Sequence, residues 1–314
     1  MRKVLLTKKL NETNARLFDG IADLELVTIP DGNQPLFEEH IKDAEAILLS
    51  TAYKMTPDVI SKASKLKVIS RTGVGVDNVD VPAATEKGIL VLNTPQANSI
   101  SVAEHTVAMI VAISKQLLMY DSELREGNFK IRRSNKAVDI DGKTLGLIGC
   151  GRIGRFAAEK CKAAFGMNVI GYDPYITEAE GITIYKDIEE VFKRADYISL
   201  HIPLTPETKN LVGDKLLSLM KPTAYIINTA RGGIIDEQAL AQKLKNEEIA
   251  GAALDVLESE PPTNDNPLLG LKSVILTPHT AALTKECSER VAYEAALGIA
   301  DYLNGKTPKF IFNR

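Results

Sequence analysis

Gly149, Gly151 and Gly154 stand in the run TLGLIGCGRIG (144–154), where an apolar strand pattern gives way to a helix pattern. That spacing suits a diphosphate. The first glycine permits a tight turn, the second lets backbone approach the anion, and the third lets the helix pack on the strand. The anion then lies at a helix N-terminus, where unpaired N–H groups and the helix dipole favour negative charge. The next apolar run, NVIGYDP, ends at Asp173, 19 residues beyond Gly154. An acid so placed accepts hydrogen bonds from an adenosine ribose and repels a 2′-phosphate, so the expected ligand is NAD rather than NADP. The competing view, a glycine turn serving packing alone, leaves the acid unexplained.

Other reactive residues also follow strand-like runs. Arg231 follows AYIINTA, Asp255 ends GAALD, Glu260 precedes Pro261-Pro262, His279 ends SVILTPH and His201 ends YISLH. In an open parallel sheet, ligands bind at the carboxyl ends of strands, so these are the positions to question. A histidine beside a carboxylate is what acid–base chemistry near neutral pH needs, because the carboxylate fixes the tautomer and supports the charged imidazole. An arginine supplies a two-pronged clamp for a substrate carboxylate. Arg231, Glu260 and His279 form such a set, although position alone is equally compatible with three unrelated surface residues. Of the remaining histidines, His40 reads as a surface-helix residue and His105 as a packing or helix-end residue inside a long helix.

The elements that must position these residues form two α/β blocks. In the first, apolar runs near 4–7, 24–29, 46–49, 67–70 and 89–92 alternate with helical patterns near 13–20, 35–42, 57–64 and 81–87. The second block repeats the style with TLGLIG, NVIGY, YISLH, AYIINT, GAALDV and SVILT. Such alternation predicts parallel sheets. Between the blocks, SISVAEHTVAMIVAISKQLLMY reads as one long helix, with Ser101 and Glu104 at capping-box spacing, which makes Glu104 a helix-start residue rather than a catalytic acid. The polar segment 121–142 has little apolar face of its own and is expected to lie against another surface. A last helical pattern runs from Thr284 to Asn304 and is stopped by Gly305; it could return to pack on the first block.

Length and composition fit two domains of ordinary size: 314 residues, 45% apolar and 25% charged. A net charge of −3 gives no reason to expect nucleic acid as a partner. Cys150, Cys161 and Cys287 are odd in number and unrelated in spacing, which predicts neither a disulfide framework nor a metal site and fits reduced thiols in the cytoplasm. The N-terminal apolar run is too short for a signal peptide. Thr106–Tyr120, broken by Ser114, Lys115 and Gln116, falls short of the roughly 20 residues of a membrane span and reads as a buried helix.

Across nearly its whole length the sequence resembles the D-isomer-specific 2-hydroxyacid dehydrogenases, closest to the short phosphoglycerate-dehydrogenase-like and hydroxypyruvate-reductase-like members. The resemblance is carried by SRTGVGVDNVD (70–80), NTPQANSISVAEHT (93–106), GLIGCGRIG (146–154), HIPLTPETKNLV (201–212), NTARGGIIDEQAL (228–240), ALDVLESEPP (253–262) and LTPHTAALTKE (276–286). It implies an α/β fold of two doubly wound parallel-sheet domains. A Rossmann dinucleotide-binding domain at 99–284 is inserted in a discontinuous, flavodoxin-like substrate domain at 1–98 and 285–314. It makes Arg231, Glu260 and His279 the catalytic arginine, glutamate and proton-donating histidine. Arg152 and Ile153 would line the diphosphate beside Gly149, Gly151 and Gly154, with Asp173 on the ribose. His201, Ile202, Pro203 and Thr208 would border the adenosine side, Thr229 and Ala230 the nicotinamide side, and Asp255 would hold the carboxamide. Val74 and Gly75 would offer amides to the substrate carboxylate, with Ser50 and Tyr53 also substrate-facing. The 121–142 segment would embrace a second subunit in a homodimer.

Three departures bear on substrate. Formate-using members carry glutamine where Glu260 stands, so formate is disfavoured. With Arg314 the last residue given, the resemblance leads to the expectation that the regulatory domain of longer phosphoglycerate dehydrogenases is absent. Phosphoglycerate-type enzymes often carry an arginine in the loop that here reads LLSTAYKMT, with Ser50 in its place and Lys54 the only nearby cation. The expected reaction is reversible hydride transfer between nicotinamide and C2 of a small 2-oxo acid, with no metal. A second class stays open, because some relatives act as NAD-sensing corepressors that recruit peptides, and fold alone does not separate the two.

Overall fold

The computed structural model describes residues 1–30, 32–134 and 136–314; Asn135, within the expected subunit-embracing segment, lies outside them. The chain divides into two compact units, Met1–Asn98 with Leu283–Arg314, and Ser99–Ala282. The second boundary falls two residues ahead of the one expected, 283 against 285.

In the first unit, strands β1 (Arg2–Leu6), β2 (Leu24–Thr28), β3 (Ala46–Leu49), β4 (Val68–Arg71) and β5 (Leu90–Leu92) form a parallel sheet of order β2-β1-β3-β4-β5. This is the flavodoxin-like order. Because strand side chains alternate between faces, Leu5, Ile47 and Leu49 enter one core with Phe37, Val59 and Ile60, whereas Val4, Leu6 and Leu48 enter another. The second core is closed by the helix Lys285–Leu303 through Ala292, Ala295, Ala296, Ile299 and Leu303. Its small side chains let the helix lie close to the sheet; a Cβ at Gly298 would come 2.9 Å from Leu92 Cδ1. Thr284 starts this helix by accepting from the Cys287 amide.

The second unit is a seven-stranded parallel sheet of β6 (Thr144–Ile148), β7 (Asn168–Tyr172), β8 (Thr183–Tyr185), β9 (Tyr197–Leu200), β10 (Tyr225–Asn228), β11 (Gly251–Leu254) and β12 (Val274–Leu276). The order is β12-β11-β10-β9-β6-β7-β8. The direction of winding reverses between β6 and β9, which places a ligand crevice at their carboxyl ends. One face is covered by Met109, Ile110 and Ile113 of helix Ser99–Ser114 and by Ala158 and Cys161 of helix Arg152–Phe165. Three helices, Ile188–Arg194, Asp214–Leu217 and Glu237–Lys245, cover the other. Each buried Leu or Ile contributes about 1.5–3 kcal/mol.

Three local expectations are corrected. The long central helix is two, Ser99–Ser114 and Leu117–Arg125, bent by 57° about Gln116, whose φ of 54° is left-handed. Helix entry at Ser99 places Ser101 and Glu104 inside the helix, so Ser101 is no cap. The edge strand β8 has only three residues and escaped notice for that reason. Among the described residues, no single helix is long and apolar enough to cross a membrane.

Candidate active site

Six strands of the second sheet end in the residues singled out by sequence. Gly149 follows β6, Asp173 β7, His201 β9, Thr229–Arg231 β10, Asp255 β11 and His279 β12.

Gly149 has φ +95°, and a Cβ there would come 2.6 Å from the His201 carbonyl oxygen. A Cβ on Gly154 would meet the Gly149 carbonyl at 2.5 Å, so both positions require glycine for close packing. Gly151 differs: a Cβ there would meet nothing within 4 Å, leaving open space in front of the loop. The amides of Arg152, Ile153 and Gly154 start the helix and donate to no carbonyl among the described residues. Open space backed by unpaired donors fits a dinucleotide diphosphate. Asp173 braces the loop, Oδ2 accepting from the Cys150 amide at 2.9 Å and Oδ1 from the amides of Tyr175 and Ile176. Burial, with the Asp173 charge second, pushes the Cys150 thiol up to about 12, so it stays protonated beside the loop.

His201 Nε2 lies 2.9 Å from Ser199 Oγ, and burial pushes its pKa down to about 4, keeping the ring neutral behind the glycines. Ile202 and Pro203 follow it. Thr208 donates its hydroxyl to the Pro203 carbonyl and accepts from the Thr205 amide, tying that loop together. Thr229 is buried and pairs with Thr106 Oγ1 at 2.9 Å. Asn228 accepts from the Ala230 amide and donates to the Arg231 carbonyl, shaping the turn that presents Arg231. A Cβ on Gly232 would come 1.8 Å from the Leu257 carbonyl oxygen, so the Arg231 turn lies directly on the segment leading to Glu260.

His279 and Glu260 meet. His279 Nδ1 donates to Glu260 Oε2 at 2.7 Å, and Glu260 Oε1 accepts from the Leu257 amide at 3.2 Å. With Nδ1 committed, Nε2 is the atom left for a substrate, and the side chain is about half exposed. His279 holds φ +52°, an uncommon conformation for a residue with a side chain. Asp255, 1% exposed, gathers the chain around it. Its Oδ1 accepts from the Thr277 hydroxyl (2.5 Å), the Thr280 amide (2.8 Å) and the Thr280 hydroxyl (3.3 Å), and its Oδ2 from the Ala281 amide (2.9 Å). Sequence reading missed this clamp by Thr277 and Thr280, and with it the contact of His105 Nε2 to Thr277 Oγ1 at 3.2 Å. The threonines flanking His279 in LTPHTAAL were the available signal.

In the first unit, the amides of Val74 and Gly75 have no hydrogen-bond partner among the described residues. Asn93 fixes this loop by donating to the Val74 carbonyl, and Asn78 joins it to the neighbouring loop through the carbonyls of Ser50 and Tyr53. Ser50 Oγ is buried with no partner among the described residues. Tyr53 corrects an expectation. It is fully buried, stacked on Phe37 at 4.6 Å between centroids, and its hydroxyl donates to the Pro30 carbonyl and accepts from the Asn33 amide. The ring is committed to the core and offers a ligand no surface. Lys54, beside it, is exposed.

Residues 107–281 match the family model described as "D-isomer specific 2-hydroxyacid dehydrogenase, NAD binding domain". The whole chain is 46% identical to D-3-phosphoglycerate dehydrogenase of Methanocaldococcus jannaschii, of which it spans 60%. The chain thus spans less than two thirds of that relative's length. Two solved structures are similar over almost their whole length. An acyclic imino acid reductase in complex with NADPH and D-Arg has a TM-score of 0.87 at 35% identity, covering 99% of both chains. The D-lactate dehydrogenase of Aquifex aeolicus with NAD and lactic acid has a TM-score of 0.85 at 30% identity, covering 100% of this chain and 99% of that one.

Proposed function

The chain belongs to the D-isomer-specific 2-hydroxyacid dehydrogenases, and from that premise we propose that it transfers hydride reversibly between NAD(H) and C2 of a small 2-oxo or 2-hydroxy acid. The observation that carries the reading is the His279–Glu260 pair at 2.7 Å, with Nε2 left open, at the same carboxyl edge of the parallel sheet as the glycine loop. Its test is turnover of a panel of 2-oxo acids with NADH. Oxidation of NADH with at least one of them supports the reading; inertness across the panel contradicts it. The corepressor alternative is disfavoured, since the relatives just named are enzymes.

Gly149, Gly151, Gly154 and the free amides of Arg152 and Ile153 are proposed to hold the diphosphate, Asp173 the ribose, and His201, Ile202, Pro203 and Thr208 to border the adenosine. Thr229, Ala230 and Asp255 fall to the nicotinamide, whose chemistry when bound is to give or take the hydride. Arg231 and the amides of Val74 and Gly75 hold the carboxylate and orient the carbonyl, with Ser50 a further substrate contact. His279 Nε2 delivers a proton to the carbonyl oxygen as charge develops there, and Glu260 stabilises the protonated ring. Buried thiols without a disulfide among Cys150, Cys161 and Cys287 support a cytoplasmic location.

Asp173 is expected to make NADH the better cofactor by occupying the ribose hydroxyls and repelling a 2′-phosphate. In Asp173→Ala the ratio of kcat/KM for NADH over NADPH is expected to shrink. NADH also weakens there, because the Cys150 amide loses its acceptor. Equal efficiency of the wild type with both cofactors contradicts the assignment.

For the substrate, a phosphate needs cationic partners, best supplied by arginine. With Ser50 and Thr51 in the substrate loop and Lys54 its one cation, hydroxypyruvate or glyoxylate is expected to be reduced at least as efficiently as 3-phosphohydroxypyruvate. A preference above about tenfold for the phosphorylated compound, roughly 1.4 kcal/mol, overturns this expectation.

A homodimer built on the second unit and the 121–142 segment is the proposed assembly. Leu117, Leu118, Leu124 and Phe129, in and beside that segment, are all more than half exposed, which supports it. Light scattering at micromolar concentration is expected to give twice the 34.2 kDa chain mass; a monomeric mass counts against it.

A further inference from the structure

His105 lies on helix Ser99–Ser114, outside the set of residues that touch substrate or cofactor in the mechanism above. Its Nε2 is 3.2 Å from Thr277 Oγ1 and 3.6 Å from Asp255 Oδ1. A hydroxyl carries one hydrogen, and that of Thr277 goes to the Asp255 carboxylate at 2.5 Å. Thr277 therefore accepts from the imidazole, which fixes a hydrogen on His105 Nε2. The result is an ordered relay, Nε2–H to Oγ–H to carboxylate, in which each donor polarises the next.

The far end of the relay is the loop that bears His279. The Asp255 carboxylate is held by residues on both sides of His279, Thr277 before it and Thr280 and Ala281 after it. The Asp255 carbonyl accepts from the His279 amide itself at 2.7 Å. The left-handed backbone of His279 costs about 1 kcal/mol and is sustained by these flanking bonds. A carboxylate without a full complement of donors in so buried a place is expensive, so each donor lost lets the loop shift. The same helix reaches the neighbouring strand end one residue on, where Thr106 pairs with Thr229.

We propose that His105 is a positioning residue for the reaction, acting through Thr277 and Asp255 to fix the orientation of His279. The proposal rests on the hydride-transfer reading of the site. His105→Phe keeps a ring and removes the donor, His105→Gln keeps an N–H near Nε2, and Thr277→Val removes the bridging hydroxyl in the same shape. In His105→Phe and in Thr277→Val, kcat for the best 2-oxo acid is expected to fall about tenfold, with the KM for NADH within about twofold of wild type. His105→Gln is expected to recover to within about threefold. Adding His105→Phe to Thr277→Val is expected to cost nothing further, because the relay is already cut. Unchanged kcat in His105→Phe, equal losses in the Phe and Gln variants, or additive losses in the double variant would overturn the proposal.

A second readout does not depend on turnover. With only four histidines in the chain, the imidazole 15N resonances can be assigned by single substitutions. The neutral His105 is expected as the Nε2–H tautomer, and Thr277→Val is expected to move the His279 resonances. An Nδ1–H tautomer at His105, or His279 resonances unmoved in Thr277→Val, overturns the relay even where the wild type reduces no 2-oxo acid. In that last case it is the activity reading that fails.

Discussion

Replacing His279 by alanine is expected to lower kcat by about two to four orders of magnitude and to leave NADH affinity nearly unchanged. The geometry gives the reason. Nδ1 is held by Glu260 at 2.7 Å, so the ring offers one atom, Nε2, in one orientation, and alanine removes the proton source without touching the glycine loop at the other end of the site. Steady-state kinetics with a 2-oxo acid and a fluorescence titration with NADH separate the two effects. Retention of more than about half the wild-type kcat rules out His279 as the acid.

Arg231→Ala is expected to lower kcat/KM by about two to three orders of magnitude, raising the KM for the oxo acid as well as lowering kcat. A carboxylate clamp acts in ground state and transition state alike, and loss of orientation at the carbonyl adds to the loss of binding. The turn that presents Arg231 is fixed by Asn228 and pressed against Leu257 at Gly232, so the substitution is expected to leave the backbone in place. Arg231→Lys keeps the charge but not the planar fork and is expected to recover only part of the loss. An oxo-acid KM unchanged in Arg231→Ala, with kcat within about threefold of wild type, contradicts the assignment.

Much of this architecture was legible in the sequence because its signals are local. Strand–glycine–helix spacing marks β6 and the loop after it, and apolar runs alternating with helical patterns mark two parallel sheets. The pairing of His279 with Glu260 was anticipated from residue type, strand-end position and family resemblance together. What escaped depends on side-chain direction. Tyr53 sits in a loop expected to face substrate, yet its hydroxyl finds Pro30 and its ring finds Phe37 in the core. His105 read as a packing residue because nothing in one helix announces that Thr277, 172 residues away, lies within reach. The break at Gln116 was hidden for another reason. The apolar pattern resumes at Leu117 directly after the polar Ser114, Lys115 and Gln116, and the left-handed turn falls on a residue that carries no glycine signal.

The proposed reaction moves a hydride between nicotinamide and C2 and forms the D-isomer. The most direct test is to reduce hydroxypyruvate with NADH carrying deuterium at both C4 positions and to determine where the label goes and the hand of the product. Deuterium at C2 of D-glycerate is the expected result. L-glycerate, or a product with no label at C2, contradicts the account.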